Sequence, residues 1–321
     1  MTIAIRTQAL AKSFGSVRAL DGIDLEVPSG TVLGLLGPNG SGKTTAVRIL
    51  ATLLTPTSGR ASVGGYDVVH QAAQARTVIG LTGQYAAVDP NLTGAENLEM
   101  IGQLLDLSRS EARQRARELL ERFDLAEIGR RLAKTYSGGL RRRLDLAASL
   151  VRRPQVLFLD EPTTGLDPHS RIGMWDTVRE LVTEGTTVLL TTQYLDEADQ
   201  LADSIAVLDA GRVIARGTSD ELKRQTGGQV LEVRPTEAAN VDAVATELAT
   251  LADSLPSINR NTRLVGVGVE DTALVAVAVR RLDEAGIAIA DLALRRPSLD
   301  DVFLQLTGHR AEGNKSGTSA A

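Results

Sequence analysis

Residues Gly37, Pro38, Asn39, Gly40, Ser41, Gly42, Lys43 and Thr44 fill every fixed position of the pattern G-x-x-x-x-G-K-[ST]. Glycines at that spacing let the backbone turn tightly with its N–H groups pointing inward. Together with the N-terminus of a following helix, they form a positive cradle for phosphate oxygens. Lys43 is then placed to reach β- and γ-phosphates, and the Thr44 hydroxyl to sit on Mg²⁺, with Thr45 next in the helix. The alternative, a glycine turn that merely joins a strand to a helix, is disfavoured because every fixed position is filled, with an apolar strand before it and helical spacing after it.

Two further groups of residues add chemistry. Asp160 and Glu161 follow the apolar run Val156-Leu157-Phe158-Leu159. A carboxylate at the end of a buried strand lies where open α/β sheets bind ligands. Asp160 can hold Mg²⁺ there, and Glu161 can polarise a water in line with a γ-phosphate. Gln84 and Gln193 also stand at predicted strand ends, where an amide can touch Mg²⁺, a water or the γ-phosphate, although each alone reads as an ordinary loop residue. Ser137-Gly138-Gly139 offers a hydroxyl and unshielded N–H groups at a helix start, a second anion site. One chain already has its own phosphate cradle, so a second suggests nucleotide shared between two chains.

The elements that must position these residues alternate between strand and helix. Strands are predicted over 3–10, 17–27, 31–36, 60–63, 77–82, 156–159 and 187–191, with a hairpin at 205–208 and 212–215. Helical spacing runs from 45 to 54, over about 94–130 with Ser110 as a candidate N-cap, from Ser137 to about Arg152, and to about Glu184. This alternation implies a largely parallel sheet with helices on both faces. Beyond about residue 225 the pattern changes, and residues 226–307 read as a small α+β domain, of ferredoxin-like type. There Leu299, Val302, Phe303 and Leu306 form a helical stripe that is either core or a docking surface. Residues 308–321 are rich in Gly, Ser and Ala and read as a disordered tail.

Composition narrows the partners. The 321 residues carry a net charge of −5 and only 3% aromatics, which argues against nucleic-acid surfaces and base-stacking platforms. The absence of cysteine excludes disulfides, thiolate metal sites and cysteine nucleophiles. The start lacks a signal-peptide pattern, and apolar stretches such as Leu274–Val279 are far too short to span a membrane. A cytoplasmic protein that reaches a membrane through a partner is expected.

Taken together, these residues resemble the ATP-binding subunit of an ABC transporter over residues 1 to about 225. Gly37–Thr44 matches the Walker A motif, Gln84 the Q-loop, Tyr136–Leu140 the signature, Val156–Asp160 the Walker B motif and Thr164–Asp167 the D-loop. Phe14 falls where the family stacks an aromatic on adenine, although a lone aromatic before glycine otherwise reads as core packing. Thr82–Tyr85, Thr135–Ala148, Thr191–Asp199 and Pro297–Gly308 further resemble the daunorubicin/doxorubicin-resistance type, over nearly the whole chain.

The resemblance implies a P-loop NTPase fold of ABC type with a helical subdomain over about 94–152. It implies ATP and Mg²⁺ as ligands, with Thr44, Gln84 and Asp160 as metal ligands and Glu161 as the catalytic carboxylate. It also implies an ATP-driven homodimer in which Ser137, Gly138, Gly139 and Asp167 serve the partner's nucleotide. A separate membrane permease at the cytoplasmic face would export a drug-like antibiotic or a lipid. Two positions depart from the general family: Gln193 stands where a switch histidine is usual, and Leu140 where glutamine is usual. A glutamine amide can hydrogen-bond a phosphate but cannot titrate near neutral pH. A soluble ABC ATPase uncoupled from transport is the alternative; the single P-loop and acidic balance disfavour it.

Overall fold

A computed structural model describes residues 2–83, 87–225, 229–251, 255–269, 273–295 and 298–307. Gln84 and the tail 308–321, both singled out above, lie outside the described residues. The described chain divides between Thr218 and Ser219 into two compact units.

The first unit opens with strands β1 (Ile3–Phe14), β2 (Val17–Pro28) and β3 (Val32–Leu36), then helix α1 (Lys43–Leu50). Strands β4 (Ser58–Val63) and β5 (Tyr66–Asp67) follow, then helix α2 (Ala72–Val78) and strand β6 (Ile79–Thr82). Helices α3 (Gly94–Leu104), α4 (Arg109–Arg122) and α5 (Gly138–Ser149) lead to strand β7 (Val156–Asp160) and helix α6 (Pro168–Thr183). Strand β8 (Thr187–Thr192), helix α7 (Leu195–Leu201) and the hairpin β9 (Ser204–Asp209) and β10 (Arg212–Gly217) complete it.

Six of these strands form one sheet in the order β10-β9-β3-β8-β7-β6, parallel except for β10. A second, antiparallel sheet has the order β2-β1-β4-β5. Both faces of the parallel sheet are covered, which is why its strands are continuous apolar runs rather than alternating ones. The two-residue period of a strand sends Phe158 and Leu189, with Leu33 and Leu35, to a core shared with α1 and the antiparallel sheet. It sends Leu157, Leu159, Val188 and Leu190 to a second core with α3 to α6. Each fully buried side chain of this size contributes about 1.5–3 kcal/mol.

Three local expectations are corrected. Thr77 and Val78 close helix α2 instead of starting a strand, because β6 pairs with β7 only from Ile79 onward. The region 94–130 is not one helical stretch: α3 ends at Leu104, and Asp106, at φ +65°, breaks the chain before α4. The N-cap of α4 is Ser108, with Ser110 already inside the helix. Ser108 Oγ accepts the Glu111 N–H while the Glu111 carboxylate accepts the Ser108 N–H, a reciprocal capping box that Ser110 could not make.

The second unit runs α8 (Ser219–Gln225), β11 (Gln229–Pro235), α9 (Val241–Ala249), β12 (Ser257–Asn259), β13 (Leu264–Val269), α10 (Leu274–Glu284), β14 (Ile289–Arg295) and α11 (Leu299–Thr307). Its antiparallel sheet has the order β12-β13-β11-β14, the split βαβ arrangement of ferredoxin-like domains. Leu299, Val302 and Phe303 are buried where α11 packs on α8, so that part of the stripe is core; Leu306 alone stays exposed. Among the described residues no helix is long and apolar enough to cross a membrane.

Replacing Ser108 with Ala should cost about 0.5–2 kcal/mol of stability, the usual loss of an N-cap. Ser110→Ala should stay within about 0.5 kcal/mol, as surface substitutions do. Denaturant titration of the two variants checks the assignment, and equal effects would overturn it.

Candidate active site

The glycine-rich loop leaves β3 at the end of the buried strand and enters α1 at Lys43. Gly42 sits at φ +111°, and a Cβ there would approach the Ala19 carbonyl to 2.5 Å. Only glycine allows that turn. Asn39 and Gly40 crest the loop in solvent, while Ser41 is buried and its carbonyl accepts the Gly211 N–H. Lys43 is buried, and its Nζ donates to the Gly37 carbonyl at 2.7 Å and the Pro38 carbonyl at 3.1 Å. Burial pulls the Lys43 pKa down, opposed by the negative charges of Glu161 and Asp160. Thr44 and Thr45 are half-buried in the first turn of α1.

The parallel register sets the other side of the site. Asp160 pairs with Thr191 across β7 and β8. Its Oδ1 accepts the Thr191 hydroxyl at 2.5 Å and the Thr44 hydroxyl at 3.2 Å. Thr44 and Asp160 thus stand together. Both are hard oxygen donors, the chemistry that Mg²⁺ takes.

Glu161 follows with φ +51°, a left-handed conformation rare outside glycine and costing about 1–3 kcal/mol. Its N–H is held by the carbonyl of Thr191 at 3.0 Å and its hydroxyl at 3.1 Å. Thr191 is therefore a positioning residue that sequence reading passed over, because a threonine in a β-branched strand carries no signal of its own. Gln193 lies just beyond β8, and its Oε1 has no hydrogen-bond partner among the described residues.

The signature residues form a helix start. Ser137 caps α5, its Oγ accepting the Leu140 N–H at 3.3 Å. Ser137 and Gly138 are exposed, and a Cβ at Gly138 would meet nothing. At Gly139 a Cβ would press on Ser170 of α6 at 2.9 Å. Tyr136 is core, its hydroxyl donating to Ile128. Asp167 caps α6, accepting from the Ser170 N–H and hydroxyl, and these bonds hold its carboxyl below the usual range. Phe14 is half exposed, with the Lys12 ammonium 5.2 Å from its ring centre. That removes the core-packing reading and leaves its ring accessible.

These motifs lie on an architecture shared with solved ATP-binding cassettes. A dimeric cassette in a post-hydrolysis state bound to ADP and Pi superposes with a TM-score of 0.61 at 25% identity, covering 67% of this chain and 98% of that one. The ABC transporter family model matches residues 20–164, and the model for the C-terminal domain of DrrA1-3-like ATP-binding proteins matches 217–307. The daunorubicin resistance ATP-binding protein DrrA2 of Streptomyces coeruleorubidus is 56% identical over 319 residues, 99% of each chain. This chain belongs to the ABC transporter ATP-binding family. A second relative, the daunorubicin/doxorubicin resistance protein DrrA of Streptomyces peucetius, is 50% identical over 99% of this chain and 97% of its own length. The chain is an ATPase subunit of transporter type, and domains of this family bind nucleotide, dimerise and pair with membrane permeases.

Glu197 of α7 is the second residue that sequence reading missed. It is fully buried; Trp175 Nε1 donates to its Oε1 at 3.2 Å, and Oε2 has no hydrogen-bond partner among the described residues. Burial pushes its pKa up, against the Trp175 hydrogen bond and the Arg171 charge that favour ionisation. Its folded pKa is above its unfolded value, so the stability it contributes is complete below the unfolded pKa and is lost as pH rises through the folded one. The stability of wild type relative to Glu197→Gln should therefore fall as pH rises from the ordinary carboxylate range through neutrality. Denaturant midpoints measured across that range test this, and a constant difference would refute it.

Proposed function

We propose that two copies of this chain close head to tail around two ATP molecules. Each nucleotide would lie between Gly37–Thr44 of one copy and Ser137, Gly138, Gly139 and Asp167 of the other. Closure and hydrolysis would drive export of a drug-like antibiotic or a lipid through a separate membrane subunit at the cytoplasmic face. The observation that carries this reading is a buried, complete phosphate cradle at α1 together with a second, outward-facing helix start at Ser137 and Gly138. Head-to-tail pairing uses both. The dimeric cassette among the structural neighbours supports the pairing, and the drug-resistance names of the relatives support efflux.

In the proposed cycle ATP phosphates take the N–H groups of the loop, and the Lys43 ammonium exchanges the Gly37 and Pro38 carbonyls for phosphate oxygens. Thr44 and Asp160 would hold Mg²⁺, which when bound would supply neutralisation of the charge on the transferring phosphoryl group. Gln84, a further candidate ligand, lies outside the described residues. Glu161 orients a water and takes its proton; the oxygen bonds the γ-phosphorus as the bond to ADP breaks. Gln193 donates its amide to the γ-phosphate, and Phe14 stacks on adenine.

Lys43→Ala should lower kcat/KM for ATP by about 10²-fold or more, as loss of a transition-state charge does. Glu161→Gln should cut turnover by about 10²–10⁴-fold yet keep ATP bound, so that a dimer accumulates on size exclusion with Mg²⁺–ATP. Wild-type turnover in Glu161→Gln would remove that residue from its role, and equal damage in Gln193→Ala would raise Gln193 to a primary one. A stoichiometric multi-span membrane protein should co-purify with the tagged chain from gently solubilised membranes. Its absence would sever the link to export.

A further inference from the structure

Arg142 lies one turn beyond the signature cap, on α5, with its side chain 11% exposed. One guanidinium reaches carbonyl groups on two separate segments of the site. Nε donates to Pro162 at 2.8 Å, and the two terminal nitrogens donate to Gly83 at 2.6 Å, Glu161 at 3.1 Å and Asp160 at 3.2 Å. Asp145, three residues on along the same helix face, stands 3.6 Å from the guanidinium and is itself buried. The Asp145 carboxylate also accepts the Ala87 N–H at 2.6 Å. The pair therefore grips the chain at Gly83, one residue past β6, and again at Ala87. The same guanidinium holds the backbone on which Glu161 is strained into its left-handed conformation.

A planar fork of five donors spans several acceptors at fixed angles, and a lysine ammonium cannot. Burial of the arginine draws its pKa down, while Asp145, Asp160, Glu197 and Glu161 draw it up.

We infer that Arg142, backed by Asp145, is a positioning residue for hydrolysis: it locks the Asp160–Pro162 backbone to the helix that starts at Ser137. Glu161 is aimed correctly only while that helix is seated. The inference rests on the proposed roles of Glu161 and Ser137. It gives one chain a rigid connection between the carboxylate that acts on its own nucleotide and the helix start that faces its partner's.

The test uses the full-length chain carrying Arg142→Gln, with Arg142→Lys as the milder variant should the first fail to fold. Steady-state ATPase kinetics and binding of a fluorescent ATP analogue are read side by side with Glu161→Gln. The expected result is a fall of about 10²-fold in kcat, the cost of small misplacement, with KM and analogue affinity within about threefold of wild type. Unchanged kcat in a folded variant would overturn the inference. So would a parallel loss of kcat and affinity, which would make Arg142 a prop for the fold alone. Glu161→Gln separates the two readings: if it is inactive while Arg142→Gln is normal, only this inference fails. If Glu161→Gln is fully active, the assignment of Glu161 fails and takes this inference with it.

Discussion

The Asp160 carboxylate joins three elements that are far apart in the chain. Its Oδ1 takes the Thr191 hydroxyl from β8 and the Thr44 hydroxyl from α1. At 4% exposure its oxygens need hydrogen-bond partners, since burying a polar group without them is costly. The pairing exists because Asp160 and Thr191 are opposite one another in the parallel ladder. A slip of one residue would turn every side chain of β7 to the other face, exchanging Phe158 with Leu157 and carrying the carboxylate away from the loop. The apolar cores on both sides of the sheet thus set the site indirectly, by setting the register.

Around that anchor, the site mixes strong satisfaction with local strain. Lys43 is held by two carbonyls and faces two carboxylates, a poised arrangement for an incoming polyphosphate. Glu161 pays for its position with a left-handed backbone, held from one side by Thr191 and from the other by Arg142. The left-handed backbone is not special to the site, since Asp106 shares it at the break between α3 and α4; what distinguishes Glu161 is the set of hydrogen bonds that hold it there. Gln193 differs in kind: its Oε1 is buried and unpartnered among the described residues. That oxygen can only accept, so a donor such as water, and not a phosphate oxygen, would complete its bonding.

The second unit builds its own core between one sheet face and helices α9 and α10, with α8 and α11 packed together. Its match to a family model of its own, together with relatives that cover the whole chain, shows that both units recur together. The burial of Leu299, Val302 and Phe303 assigns most of the stripe on α11 to folding.

Much of the site is legible in the chain alone, because its chemistry is carried by residues consecutive in sequence. The loop Gly37–Thr44 needs small residues and a lysine at fixed spacing, and Asp160-Glu161 needs an apolar strand before it, so both are visible without coordinates. The parallel sheet is legible for the same reason: strands buried on two faces read as unbroken apolar runs. Short-range competition was less legible. Ser108 and Ser110 are chemically equivalent caps, and only the reach of Glu111 decides between them. Thr77 and Val78 have strand-forming side chains, yet they finish a helix, and the paired register of β6 with β7 begins only at Ile79. Thr191, Arg142 and Glu197 owe their roles to neighbours 31, 59 and 22 residues away along the chain, respectively. No local pattern marks such residues, because hydrogen bonds across a sheet or between helix and loop depend on distances that only the folded chain sets.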